Sequence, residues 1–131
     1  MKVVVIGGGA AGMMAAITSA KEGNKVTLIE KTSSLGNKIK ITGKGRCNVT
    51  FDGDIDDFKR NIIKSNKFMY SSYMNFNNQD VVEYFNSLGV PTKVERGGRI
   101  FPQSDKAQDI VDALKRELVK YNVHIKYNTY I

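Results

Sequence analysis

Three glycines near the amino terminus have the spacing of a turn that binds phosphate groups through backbone N–H. Gly7, Gly9 and Gly12 come after a β-branched run, KVVVI (2–6), and a run of small residues then predicts a helix from Gly12 to Lys21. In such a turn the first glycine permits the sharp bend, the second lets the backbone approach a pyrophosphate, and the third lets the helix pack closely on the strand. The free N–H groups at the start of the helix would face the phosphates. Because a glycine-rich chain produces this spacing by chance, the assignment depends on the residues after the turn.

A carboxylate stands where such a turn needs one. A second strand, KVTLIE (25–30), ends in Glu30, which lies 23 positions after Gly7. At that place an acid accepts hydrogen bonds from ribose hydroxyls, and it would repel a 2′-phosphate. Strand, turn, helix, strand and acid therefore predict a βαβ unit that binds a dinucleotide, with NADP disfavoured at this site. The alternative is a glycine-rich turn in an α/β protein that binds no nucleotide.

The segment after Glu30 is basic and rich in glycine. Residues 31–51 include five basic residues and no acid. The stretch GNKIKITGKG (36–45) is not the P-loop of nucleoside triphosphatases, because Gly45 stands where Ser or Thr would bind magnesium. We expect this segment to return toward the pyrophosphate and offset its charge. The residues expected to do so are Lys38, Thr42, Gly43, Lys44, Gly45 and Arg46. A solvated basic face is the alternative.

The chain has one cysteine and one histidine. Cys47 lies close to Lys44 and Arg46, whose charges would lower the pKa of a thiol, but no second cysteine exists to form a redox disulfide. His124 lies at the start of a predicted strand, far from Cys47 in sequence. We therefore favour a packing role over chemistry for both.

The remaining segments predict an α/β fold around these residues. Residues 123–128 alternate as a strand does and would join strands 2–6 and 25–30 in a three-stranded parallel sheet. An amphipathic helix precedes that strand, from Ser104–Asp105 to Asn122, and the middle of the chain leaves the sheet. The elements predicted there are one or two short helices in 58–76, a helix over 79–88 capped by Asn77 or Asn78, and a small β-hairpin over 92–101 that turns at Gly97–Gly98.

Bulk composition narrows the functional class. A net charge of +7, 41% hydrophobic residues and a single cysteine indicate a cytoplasmic globular protein with an anionic partner. The apolar stretch after Lys2 is too short for a membrane-spanning helix, which needs about 20 apolar residues, so we expect no membrane partner. A basic nucleic-acid-binding module would use the same charge, but the chain has no aromatic RNA-binding segment. An NAD-binding regulatory domain would use Glu30 without needing the basic loop.

Four stretches together resemble a known family. They are VVVIGGGAAGMMAAI, VTLIEK, GNKIKITGKGRCNVT and GGRIFPQSDKAQDIVDAL. Over nearly its whole length the sequence is similar to the amino-terminal part of bacterial NAD(P)/FAD-dependent oxidoreductases, which include BaiN-type and aminoacetone-oxidase-family flavoproteins. TGKGRCN and GRIFPQS are far more specific to that family than the glycine turn. The resemblance implies a partial Rossmann-like, glutathione-reductase-type FAD-binding domain.

The resemblance also implies residue roles and a reaction. FAD would contact the glycine turn, Glu30 would hold its ribose, and the segment after Glu30 would line the rest of the channel. The implied cofactor-binding residues are Gly7, Gly9, Ala11, Gly12, Glu30, Lys31, Asn37, Lys38, Thr42, Gly43, Lys44 and Arg46. The family passes hydride from NAD(P)H through FAD to an activated C=C bond, in substrates that range from steroid-like enones to a uracil base of ribosomal RNA. No catalytic residue and no metal ligand can be named from the chain.

Family members continue well beyond position 131, so the resemblance implies an incomplete FAD-binding domain without its substrate domain. Residues 1–50 would form the βαβ unit and the phosphate-facing loop, 51–103 a helical and hairpin excursion, and 104–131 the last helix and the third parallel strand. Whether the chain alone is an enzyme stays open. We expect it to be inactive by itself and to self-associate through the uncovered apolar edge of its first strand.

Overall fold

The computed structural model describes residues 1–64 and 66–131. Strands and helices alternate at both ends of the chain, and the middle adds short helices and a second small sheet. In chain order the elements are β1 Lys2–Ile6, α1 Ala10–Lys21, β2 Lys25–Ile29, α2 Asn37–Ile41, β3 Thr50–Phe51, α3 Ile55–Asn61, α4 Asn66–Asn75, α5 Asn78–Ser87, β4 Thr92–Glu95, β5 Arg99–Pro102, α6 Ala107–Lys120 and β6 His124–Lys126, with 3₁₀ turns at Thr42–Gly45 and Arg96–Gly98.

The predicted three-stranded parallel sheet is confirmed, with the strand order β1-β2-β6. Val4 is in register with Thr27, which is in register with His124. β-Branched residues favour these strands because they fit a pleated surface that is buried. Helices α1 and α6 share one hydrophobic core with Val26 and Leu28 of β2, so they cover one face of the sheet.

The core lies between that face and the two helices. The apolar stripe predicted for α6 is confirmed, because Val111, Leu114 and Leu118 are fully buried. They pack with Met13 and Ile17 of α1, which are also buried. Close packing here fixes α1 on the sheet, and α1 positions the glycine turn at its amino end.

The hairpin predicted over 92–101 is also confirmed. Strands β4 and β5 pair in antiparallel fashion around the 3₁₀ turn that contains Gly97 and Gly98. Strand β3, which the sequence did not predict, extends this sheet in the order β3-β5-β4 by pairing Thr50 with Ile100. The second sheet therefore starts directly after the basic segment and anchors its end.

Side-chain caps set the start of two middle helices. Asp54 accepts the backbone N–H of Asp57 at the start of α3, and Asn77 accepts that of Asp80 at the start of α5. The helix predicted over 79–88 is confirmed as α5. The short helices expected in 58–76 are the end of α3 and all of α4, while position 65 lies outside the described residues.

Some element boundaries differ from the sequence prediction, and one helix was not predicted. Helix α6 begins at Ala107 because Asp105 has a φ of 57°, which a right-handed helix cannot accommodate. Strand β6 ends at Lys126, and Asn128 bends the chain away with a φ of 50°. The segment 36–45, expected as a loop, contains helix α2. Residue propensities alone do not show that Asp105 and Asn128 adopt the left-handed conformation.

A candidate nucleotide-binding cleft

An open cleft of about 850 Å³ lies beyond the carboxyl ends of β1 and β2. This is where open parallel sheets bind their ligands. Its polar wall comprises Gly7, Gly8, Gly9, Ala11, Glu30, Lys31, Thr32, Asn37, Lys38 and Thr42. Its apolar wall includes Met14, Phe76, Val81, Tyr84, Phe85 and Leu114. The structure thus brings eight of the twelve predicted site residues to one wall of one cleft.

The glycine turn carries the chain from β1 into α1. Gly7 has a φ of 99°, and its N–H donates to the carbonyl oxygen of Ile29 at 2.8 Å. A Cβ on Gly12 would lie 1.8 Å from the Gly7 carbonyl oxygen, whereas a Cβ on Gly9 would meet nothing within 4 Å. The fold therefore requires glycine at position 12, but it places no such demand on position 9. Since α1 begins at Ala10, two residues before the predicted start, its first N–H groups lie beside the cleft.

Glu30 fastens the turn to the second strand. Its Oε2 accepts the backbone N–H of Gly8 at 2.7 Å, and its Oε1 accepts the N–H and the hydroxyl of Thr32 at 2.8 and 2.9 Å. The Thr32 N–H lowers the pKa of Glu30, and the Gly8 N–H lowers it further, against burial, which would raise it. The side chain is therefore an ionised carboxylate at neutral pH, although only 8% of the residue is exposed.

The segment after Glu30 is held against the turn by polar contacts. The N–H of Gly36 donates to the carbonyl oxygen of Gly8 at 2.8 Å. Asn37 Nδ2 donates to Thr32 Oγ1 at 3.0 Å, and Ser34 Oγ donates to Asn37 Oδ1 at 2.6 Å. These bonds fix the polar wall before any ligand is present. Gly8 and Thr32 were not predicted as site residues, and the signals for them were the unbroken GGG run and a hydroxyl residue two positions after the acid.

The remaining polar residues of this wall differ in what they can offer a ligand. Lys31 and Lys38 are exposed and put positive charge at the cleft. The hydroxyl of Thr42 already donates to the carbonyl oxygen of Ile39 at 2.8 Å, so it can accept but has no free hydrogen. The two lysines are therefore the side chains that can offset phosphate charge.

Four of the twelve predicted site residues, and also Gly45, do not line the cleft. Gly12 lies behind the turn, and Gly43, Lys44 and Gly45 lie in the 3₁₀ turn, beyond Thr42 and outside the cleft. The guanidinium of Arg46 lies 2.9 Å from Glu95 and 3.3 Å from Asp105, and 4.0 Å from the ring centre of Phe101. Arg46 therefore ties the basic segment to the second sheet. Sequence could not show this, because its two acidic partners lie 49 and 59 positions away.

Cys47 also lines the cleft but is buried in the core cluster. Burial raises the pKa of its thiol, so the depression expected from the neighbouring charges does not occur. Its φ of 63° marks the bend after the 3₁₀ turn. The contacts favour the packing role. His124 is exposed on β6 and lies away from the cleft.

The apolar wall was not predicted as part of a site. The sequence predicted only a helix over 79–88, yet Val81 and Phe85 of this helix line the cleft. The ring of Tyr84 packs edge-to-face with Phe76 at 6.4 Å and with Phe85 at 5.3 Å. Burial raises the pKa of Tyr84 to about 12, so its hydroxyl is neutral. A flat apolar group of a ligand can pack against this wall.

The described part of the chain gives no support for a metal site or for a membrane-spanning helix. Its His, Cys, Asp and Glu side chains form no group of three that could hold a metal ion. Of its helices, none combines the length and apolar character needed to cross a membrane.

Sequence comparison places the chain among known proteins. The HI0933-like protein Rossmann domain matches residues 1–131. The chain is 37% identical over 134 residues to the 3-dehydro-bile acid delta(4,6)-reductase of Clostridium scindens, covering 95% of this chain and 30% of that protein. It is 32% identical to the ribosomal RNA dihydrouridine synthase of Escherichia coli, covering 92% of this chain and 29% of that protein. The chain thus spans under a third of the length of these relatives.

Structure comparison supports the same fold. The 3-ketosteroid-delta4-(5alpha)-dehydrogenase of Rhodococcus jostii matches 95% of this chain with a TM-score of 0.66 and 18% identity, over 37% of its own length. At that identity the match concerns the fold alone.

Proposed function

Because the chain belongs to the HI0933-like Rossmann domain family, as the sequence resemblance predicted, we propose that its cleft binds FAD. The main observation behind this proposal is that Glu30 accepts a hydrogen bond from the glycine turn at the floor of the cleft. One wall of this cleft is polar and the other is apolar. A dinucleotide with a flat ring at its far end has the matching polar and apolar parts.

The polar wall offers a separate partner for each polar part of FAD. The free N–H groups at the amino end of α1 face the cleft beside Gly9 and suit the pyrophosphate. Lys31 and Lys38 add positive charge. The chemistry of hydride acceptance would come from the flavin ring itself, while the chain's own part is to bind and orient the cofactor.

Glu30 keeps acceptor capacity for the ribose. A carboxylate has about four lone-pair sites, and Gly8 and the Thr32 N–H use two of them. The hydroxyl of Thr32 has one hydrogen, which can go to Glu30 or to the carbonyl oxygen of Ser34 at 2.9 Å. When it goes to Ser34, two sites remain for the two ribose hydroxyls. The same carboxylate can therefore hold the turn and the cofactor.

In a protein of the relatives' length, we expect this domain to serve hydride transfer from NAD(P)H through FAD to an activated C=C bond. One relative is a bile-acid reductase and another is a synthase of dihydrouridine in ribosomal RNA. The substrate class is therefore a small enone-like molecule or an RNA base. The net charge of +7 favours the RNA base, because nucleic-acid phosphates attract basic surfaces.

Glu30→Gln tests the ribose assignment. We expect FAD affinity to fall by about 1 to 3 kcal/mol, because a charge-assisted acceptor is lost and the new amide N–H₂ faces existing N–H donors. Flavin titration followed by absorbance or fluorescence measures the affinity, and urea unfolding measures stability on the same variant. Glu22→Gln, an equal charge change at an exposed position, should leave both unchanged. Equal FAD affinity in Glu30→Gln and the unmodified chain would refute the assignment.

The chain on its own should bind FAD weakly and should not oxidise NAD(P)H. Oxidation of NAD(P)H requires residues that hold the nicotinamide ring against the flavin ring, and we can assign that role to none of the described residues that line the cleft. An NADH oxidation assay with saturating FAD measures this directly. Turnover above that of free FAD would contradict the expectation.

A further inference from the structure

The chain leaves the cleft at Thr42 and returns to it at Cys47. Both residues line the cleft, and the backbone N–H of Cys47 donates to the carbonyl oxygen of Thr42 at 3.0 Å. The residues between them, 43–46, form a turn that lies outside the cleft. The conformation of this turn therefore decides how Cys47 and the next two residues, Asn48 and Val49, contribute to the lining of the cleft.

The backbone of this turn is strained. Positive φ angles of 55°, 56°, 86° and 63° occur at Gly43, Lys44, Gly45 and Cys47. Glycine adopts such angles readily, but the side chains of Lys44 and Cys47 disfavour them. A left-handed residue that is not glycine persists only where contacts from the surrounding structure hold it in place. Some contact outside the turn must therefore hold this conformation.

Arg46 supplies that contact through a closed network of four alternating charges. Its Nη1 lies 2.9 Å from Glu95 and 3.3 Å from Asp105. Lys93 completes the network, because its Nζ lies 3.3 Å from Glu95 and 2.8 Å from Asp105. The hydrogen bond from Arg46 lowers the pKa of Glu95, and the one from Lys93 lowers the pKa of Asp105, so all four groups are charged at neutral pH. The guanidinium also lies over the ring of Phe101.

We propose that Arg46 is a positioning residue, whose charge network holds the left-handed turn so that residues 47–49 keep their place in the cleft. An isolated exposed ion pair contributes little to stability, but several charges joined in one network contribute more. Because Cys47 directly follows Arg46, loss of the network would let the strained backbone relax where the chain returns to the cleft. The inference about the turn does not need FAD, whereas its effect on cofactor affinity rests on the proposed function.

Thiol labelling tests the turn without any cofactor. Cys47 is the only cysteine of the chain and is buried, so its rate of reaction with N-ethylmaleimide, followed by mass spectrometry, reports the opening of this segment. Arg46→Met removes the charge and should raise the rate at least about tenfold, above the rate that global unfolding in urea allows. Arg99→Met is the matched control, because Arg99 also lies over Phe101, at 5.8 Å, but outside the network. It should leave the rate unchanged.

Relief of the backbone strain tests the cause. Lys44→Gly removes a side chain that disfavours the left-handed conformation, so adding it to Arg46→Met should lower the labelling rate again by about threefold or more. Arg46→Lys keeps the charge but not the planar fork of the guanidinium, and its rate should be intermediate. Equal labelling of the Arg46→Met and Arg99→Met variants would overturn the proposal, and so would a rate that Lys44→Gly does not lower.

Flavin titration measures the consequence for the cleft. Arg46→Met should bind FAD about tenfold more weakly under conditions where it is folded, and Lys44→Gly should restore part of the affinity. If the unmodified chain and Arg46→Met bind FAD equally well, Arg46 does not position the cleft. If the unmodified chain binds no FAD, the proposed function fails instead, and the labelling series still decides the role of Arg46.

Discussion

Gly12→Ala should strongly destabilise the fold. The new methyl carbon would lie 1.8 Å from the carbonyl oxygen of Gly7 and 3.0 Å from its carbonyl carbon. Neither the Gly7 peptide nor helix α1 can move apart to make room. The N–H of Gly7 is hydrogen-bonded to β2, and α1 is fixed by the buried side chains of Met13 and Ile17. We expect a loss of at least about 3 kcal/mol, the upper range for overpacking. Native domains have only about 5 to 15 kcal/mol of stability, so the loss is a large share of the total.

Urea unfolding followed by circular dichroism measures this loss. Gly9→Ala is the matched control, since it adds the same methyl group three positions earlier into open space with a φ of −82°. That variant should unfold at the same urea concentration as the unmodified chain. Similar stability of all three proteins would mean that α1 does not pack closely on the turn.

The sequence was sufficient for the parts of the fold that local patterns encode. The strand 2–6, the glycine turn and the acid at position 30 each carry a signal within a few residues, and together they define the βαβ unit. The helix 79–88 and the hairpin turning at Gly97–Gly98 were predicted for the same reason. Turn residues and apolar periodicity act at short range, so one sequence reveals them.

The cleft's second wall could not be predicted because distant segments form it. Val81 and Phe85 gave only the signal of an amphipathic helix, which packing explains equally well. Their place in the same cleft as Glu30 depends on how α5 packs against β3 and β4 of the second sheet. Arg46 was predicted from a local motif as a phosphate-binding residue, but in the structure it forms ion pairs with Glu95 and Asp105, which are distant in sequence.

Glu30 illustrates a third limit of prediction from the sequence. The motif predicted a ligand contact, yet the structure adds an internal role, because the carboxylate holds Gly8 and Thr32. Loss of affinity in a Glu30 variant therefore combines a missing ribose contact with a loosened turn. A variant that changes the site while leaving the fold unchanged separates the two effects.

Gly9→Ala is that variant, and it should nearly abolish FAD binding while leaving the fold unchanged. Its methyl group would meet no protein atom within 4 Å, and Gly9 lines the cleft, where the proposed pyrophosphate would approach the backbone. Excluding a phosphate from its N–H donors should cost about 3 kcal/mol or more, which is roughly a hundredfold or more in affinity.

Flavin titration and urea unfolding of Gly9→Ala measure the two quantities independently. Ala15→Ser, which adds one atom on an exposed part of α1 away from the cleft, is the control and should bind FAD normally. If Gly9→Ala keeps both stability and FAD affinity, the pyrophosphate does not lie at this turn. If it loses stability as well, the space beside Gly9 is not open in solution. Only loss of FAD with retained stability is consistent with a turn whose second glycine is reserved for the cofactor.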